Sequence, residues 1–246
     1  MNYSLSAPAP SPSLTLLGIE PLRAAFEYAS MRFMDHDALP SGDGHPVVIF
    51  PGLASDQRAL VPLRDCCERL GYTVYDWEHG FNTGPQGDVD DWLADLSSHV
   101  QSVAAAHEAR VSLVGWSLGG IYAREIAKIV PDDVRQVITL GSPFAGSPEE
   151  TNLGWLYRLL SGQSTTIDEE MSNRLRTTPP VMTTSIYSRS DGVVAWQSCI
   201  NDDCGHAENI EVDGSHIGLP WNPKVLATIA ARLGVPEDKL RRLRRS

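Results

Sequence analysis

Cysteine is scarce in this sequence, four in 246 residues, and no two of them form a CxxC pair. Cys66 and Cys67 are adjacent on an expected helix and so point about 100° apart, while Cys199 and Cys204 flank a short polar loop. Free thiols are the first reading and a Cys199–Cys204 disulfide the second. A metal site on that pair with His206 has no fourth ligand at a workable spacing, so no metal is expected. No apolar run is long enough to span a bilayer. The first nineteen residues carry no charged side chain, so they lack a basic n-region, and Pro8, Pro10 and Pro12 interrupt them. That is a poor signal peptide, and the expectation is a Ser/Pro/Ala-rich leader on a cytoplasmic protein. Positive charge is short as well: 20 Lys and Arg stand against 31 Asp and Glu, a formal net charge of -11. This argues against nucleic acid as a partner and predicts a surface that repels anionic lipid.

What is present is an ordinary soluble composition, 42% hydrophobic and 21% charged, at a length that suits one α/β domain. After residues 1–13, Pro21 opens a helical pattern with Leu22, Phe26, Ala29 and Phe33 at i, i+4, i+7 and i+11. That face is expected to pack on the flank of the domain. Membrane-surface contact through residues 19–34 is the minority reading, because Glu20 and Glu27 share the polar face with Arg23 and Arg32. Residues 35–44 read as a linker, so 1–44 is taken as leader plus amphipathic helix and 45–235 as the domain proper.

Within 45–235, strand and helix alternate. Strands are predicted at His45–Phe50, Tyr72–Trp77, Val111–Val114, Val134–Gly141, Val181–Tyr187 and Asn209–Val212. Helices are predicted over Ser55–Leu70, 88–109, the stretch after Ser117 and Pro223–Leu233. This alternation predicts an open, mostly parallel sheet of about six strands with helices on both faces, whose ligands bind beyond the carboxyl ends of the strands.

Three of those ends carry chemistry. Gly115-Trp116-Ser117-Leu118-Gly119 joins a buried strand to a helix in the nucleophile-elbow pattern, which lifts the Ser117 hydroxyl above the sheet edge. Asp191 follows the Val181–Tyr187 strand, and His216 follows the last strand between small residues. A serine hydroxyl needs a base in the attacking step, His216 supplies one near neutral pH, and a carboxylate behind it fixes its tautomer. His99 and His107 are expected on a helix surface and His45 before a strand; Asp213 is too close in sequence to reach the His216 ring. For the oxyanion, the Leu118 amide opens the elbow helix, and the loop Pro51-Gly52-Leu53-Ala54 offers a second amide, Leu53 first and Ala54 in reserve.

The segments VVIFPGLAS, LVGWSLGG, ITLGSPFAG, TSIYSRSDGVV and NIEVDGSHIGL, in this order, resemble the bacterial triacylglycerol lipases and related carboxylesterases of the α/β-hydrolase superfamily. The resemblance runs from about Pro46 to Leu233. It implies an α/β-hydrolase fold and a Ser117–His216–Asp191 triad with the Leu53 and Leu118 amides as oxyanion hole. It also implies action on acyl esters or lipids without a cofactor. Trp116 and Pro51 depart from the family, which commonly has histidine at both places. The segment 147–180 is longer than a minimal member needs and reads as either a small helical lid or an ordinary helix pair. Trp116, Phe144, Leu153, Trp155 and Leu219 are candidate pocket residues. The basic tail 236–246 reads as a solvated helix end, with a membrane or acidic-partner tether as the minority reading. The expectation is therefore a serine carboxylic-ester hydrolase. Acyl transfer or thioester cleavage by the same triad, and a non-catalytic scaffold, are the alternatives.

Overall fold

The computed structural model describes residues 12–145 and 169–243. Leu153, Trp155 and most of the expected lid lie outside them. The described elements are α1 (Leu14–Met31), β1 (Pro46–Phe50), α2 (Val61–Arg69), β2 (Thr73–Asp76), α3 (Val89–His107), β3 (Val111–Trp116) and α4 (Leu118–Ile129). There follow β4 (Val134–Leu140), α5 (Glu169–Arg176), β5 (Met182–Tyr187), β6 (Ala207–Glu211), α6 (Pro223–Leu233) and α7 (Glu237–Leu243). Short 3-10 turns stand at Gln57–Leu60, Trp196–Cys199 and Leu219–Trp221.

The β-branched runs pair into one six-stranded sheet of order β2-β1-β3-β4-β5-β6, and every pairing is parallel. Helices cover both faces, as strands buried on each side require. Alternate residues of β1 divide between the two cores. Val48 and Phe50 pack with Leu96, Val100, Ile121 and Ile126 of α3 and α4. Val47 and Ile49 pack with Leu63, Leu226 and Ile229 of α2 and α6. The period of two that the strand geometry imposes thus seats both layers. The order reverses between β1 and β3: from β1 the chain moves outward to β2, then returns past β1 to β3. The loops after these two strands meet in the crevice where such sheets take ligands.

Two expectations about the N-terminal region are corrected. The helix starts at Leu14, capped by the Ser13 hydroxyl accepting from the Thr15 N–H at 3.2 Å, and Pro21 lies inside it. Its phase is also the reverse of the one expected. Glu20, Ala24 and Glu27 face inward, whereas Leu22, Phe26 and Phe33 are 73%, 74% and 89% exposed. The four cysteines carry free thiols. Among the described residues, no helix is long and apolar enough to cross a membrane.

Candidate active site

Ser117 stands between β3 and α4 with φ 53° and ψ -119°, a conformation an L residue adopts only when its surroundings impose it. The surroundings are the neighbouring glycines. A Cβ at Gly115 would collide with the Gly119 backbone, one at Gly119 with the Phe50 carbonyl, and one at Gly120 with the Ser142 hydroxyl. The small residues of the elbow are therefore a packing requirement. They let α4 start hard against the ends of β1 and β3, and the Ser117 N–H is held by the Leu140 carbonyl at 2.8 Å.

His216, beyond β6, places Nε2 3.1 Å from Ser117 Oγ. Its Nδ1 lies 2.7 Å from Asp191 Oδ2. The other carboxylate oxygen of Asp191 accepts the N–H groups of Val193 and Val194 at 2.8 and 2.7 Å, which orients the group. Gly141, at the end of β4, passes beneath this pair with φ 55°. Ser117, Asp191 and His216 are all buried. Burial by itself would push the His216 imidazole down. The Asp191 charge and hydrogen bond, with the Glu20 charge behind them, outweigh it and hold the ring above the ordinary histidine range. The other histidines are engaged elsewhere: His45 pairs with Asp43 and lies 2.7 Å from Ser112 Oγ, His99 meets the Asp76 carbonyl, and His107 meets the Tyr75 hydroxyl. Asp213 points away from the ring, accepting from Ser190 Oγ at 2.6 Å.

The loop after β1 lies directly beside Ser117. A Cβ at Gly52 would stand 3.3 Å from Ser117 Cβ and 3.1 Å from the Trp116 ring. Asn82, fully buried, holds this loop from two sides. Its Nδ2 donates to the Pro51 carbonyl at 2.8 Å, and its backbone exchanges bonds with Ala54 and Ser55, both 2.8 Å. Leu53 follows Gly52 and is half-buried, whereas Ala54, the reserve candidate, spends its N–H on the Asn82 carbonyl. Leu118 is the first residue of α4, so its N–H has no carbonyl one turn back within the helix. Leu53 and Leu118 thus belong to the two elements that meet at Ser117, the loop after β1 and the start of α4, and negative charge developing there would lie at the positive end of the α4 dipole.

Of the side chains expected to shape a pocket, Trp116 donates its Nε1–H to the His216 carbonyl at 3.0 Å and so supports the histidine loop. Phe144 and Leu219 are buried in the packing: Phe144 lies under the Arg124 guanidinium, and Leu219 packs beside Gly141. The sequence reading missed the contribution of α1. Glu20 accepts from Gly192, His216 and Ile217, and Glu27 from Ser215. The available signal was two acids at i and i+7 on one helix, sharing a face with Ala24.

Comparison with known proteins agrees with this architecture. The model of a family described as the alpha/beta hydrolase family matches residues 19–239. A pimeloyl-(acyl-carrier protein) methyl ester esterase of Shewanella woodyi is 26% identical over 137 residues, 54% of this chain and 51% of that protein. A triacylglycerol lipase of Pseudarthrobacter phenanthrenivorans is 33% identical over 112 residues, 42% of this chain and 34% of that one. The matches therefore span about half or less of these relatives' own length. The crystal structure of a mature Bacillus licheniformis lipase superposes with a TM-score of 0.60 at 18% identity, covering 80% of this chain and 95% of that one, which is a likeness of fold.

Proposed function

The chain belongs to the alpha/beta hydrolase family, and from that membership and the geometry around Ser117 we propose that it is a serine carboxylic-ester hydrolase of lipase or esterase type. The observation that carries this reading is the unbroken line of short contacts, 3.1 Å from Ser117 Oγ to His216 Nε2 and 2.7 Å from His216 Nδ1 to Asp191 Oδ2. Ser117 Oγ attacks the acyl carbon while His216 Nε2 takes its proton. Asp191 accepts the Nδ1–H, keeps the ring in the tautomer that presents a lone pair to the serine, and stabilises the imidazolium. The Leu53 and Leu118 amides receive the oxyanion. As the tetrahedral intermediate collapses, His216 returns the proton to the departing alcohol. His216 then deprotonates a water that attacks the acyl-enzyme, the acid leaves, and Ser117 regains its proton. No step draws on a cofactor.

An acyl ester or lipid is the substrate class this reading requires. It is supported by the activities for which the relatives are named, one a methyl ester esterase and one a triacylglycerol lipase. The test is hydrolysis of p-nitrophenyl esters from acetyl to palmitoyl by the unchanged chain and by Ser117→Ala. Turnover is expected with the unchanged chain and a loss of about four to six orders of magnitude in the variant. The chain length giving the maximum assigns it as esterase or lipase. Equal turnover by Ser117→Ala would overturn the mechanism.

A further inference from the structure

Glu20 sits on α1, about a hundred residues before Ser117, and its side chain is 1% exposed. Its Oε1 accepts the N–H of Gly192 at 2.8 Å and that of His216 at 3.1 Å; its Oε2 accepts the N–H of Ile217 at 3.0 Å. Gly192 is the residue after Asp191. One carboxylate therefore joins the loop carrying the acid to the backbone of the base itself. These loops leave different strands, and their separation decides whether Asp191 and His216 stay within hydrogen-bond distance.

The rest of α1 reinforces the clamp. Arg23, one turn on, lies 3.8 Å from the Glu20 carboxylate. It donates to the Ser190 carbonyl and, at 2.7 Å, to Ser190 Oγ. Glu27 accepts both the N–H and the hydroxyl of Ser215 at 2.7 Å. Gly192 lets the helix come this close, because a Cβ there would stand 2.6 Å from the Leu16 carbonyl carbon.

We propose that Glu20 is a positioning residue for the Asp191–His216 pair, clamping both loops from outside the sheet and adding a negative charge behind the imidazolium that forms during Ser117 attack. The proposal rests on the hydrolase reading above and adds to it a helix that the expected site did not include. The charged and titratable groups that face this region are Asp191 and Cys199 from the β5 side, Asp213 beyond β6, and Arg23 and Glu27 from α1. Burial pushes the Cys199 thiol well up, so it stays neutral. Burial also raises the Glu27 carboxyl, against the Ser215 bonds that lower it. Arg23 is the cation beside Glu20 and also lies 3.6 Å from Asp213, so removing the Glu20 charge leaves it paired with Asp213 alone.

The test is the titration of the His216 ring, followed by its nitrogen shifts in NMR, in the unchanged chain, Glu20→Gln and Glu20→Asp. It is paired with kcat and KM on a short p-nitrophenyl ester, normalised to the native fraction by circular dichroism. Glutamine keeps the shape but has one acceptor oxygen and no charge. It is expected to move the His216 midpoint to lower pH and to cut kcat about 10- to 100-fold with little change in KM. Aspartate keeps the charge but draws back from the three N–H groups. It is expected to lower kcat while leaving the midpoint closer to that of the unchanged chain. An unmoved midpoint and an unmoved kcat in Glu20→Gln would overturn the proposal. So would equal midpoint shifts in both variants, which would mark a structural role alone. If the unchanged chain turns over no ester, the hydrolase reading fails separately, and the His216 midpoint still decides the role of Glu20.

Discussion

Gly141 has no side chain, and the place where a Cβ would stand governs how closely Asp191 and His216 meet. That position is 3.1 Å from His216 Nδ1, 3.3 Å from Asp191 Oδ2 and 2.7 Å from Leu219 Cδ1. The residue also holds φ at 55°, where alanine is strained by about 1–2 kcal/mol. Gly141→Ala is therefore expected to lower the melting temperature and to reduce kcat about 100-fold by displacing the imidazole. A thermal melt by circular dichroism and ester turnover check the two effects, and an unchanged kcat would show that the pair tolerates the methyl group. At this scale the sequence was legible where a residue's chemistry and its place after a strand coincided. Ser117, Asp191 and His216 each follow a strand end and carry a group useful for acyl transfer. Gly141 ends a strand too, yet nothing in ITLGSP tells that its missing Cβ lies against the histidine. That fact comes from the neighbouring strands, which the local sequence does not record.

At the scale of elements, α1 shows what periodicity does and does not determine. Leu22, Phe26, Ala29 and Phe33 repeat with helical spacing, and so do Glu20, Ala24 and Glu27, two residues and about 200° away. Both sets identify a helix; hydrophobicity favours burying the first, and the structure buries the second. The reason is the hydrogen-bond demand of the loops beneath. The N–H groups of Gly192, Ser215, His216 and Ile217 need acceptors once covered, and Glu20 and Glu27 supply them. An unpaired N–H buried there would cost about 1–3 kcal/mol. The two faces are expected to respond oppositely to mutation. Leu22→Ser and Phe26→Ser should change stability by no more than about 0.5 kcal/mol, because both side chains are already solvated. Ala24→Asp, which forces a charge between α1 and the Trp221 turn, should cost roughly 3 kcal/mol or more. Urea unfolding of the three variants distinguishes this phase from the reverse one. The strand–helix alternation of 45–235 was read correctly because its central apolar runs, β1, β3 and β4, are buried along their whole length, so phase was not in question there. The helix predicted over Ser55–Leu70 divides into a 3-10 turn at Gln57–Leu60 and α2. Pro62, near the α2 start, has no N–H to give, as tolerated in a first helical turn.

For the whole molecule, the sheet order brings distant segments to one edge. The pairing of Phe50 with Gly115 sets the loop after β1 beside the elbow. The succession β3-β4-β5-β6 then carries Asp191 and His216 to the same edge from strands further along the sheet. The alternating pattern foretold such a sheet and its parallel direction. It did not foretell that a helix before the first strand would clamp two loops near the last, because that contact joins residues some 170 to 200 positions apart. In the proposed mechanism the edge so assembled carries the acyl group of the substrate to Ser117. The most direct measurement is mass spectrometry of the chain quenched in acid within the first turnovers of a p-nitrophenyl ester, followed by mapping of the modified peptide. One acyl group per chain is expected on the peptide containing Ser117, matched by a burst of one equivalent of p-nitrophenol. Turnover with the acyl group on another residue, or undiminished in Ser117→Ala, would contradict it.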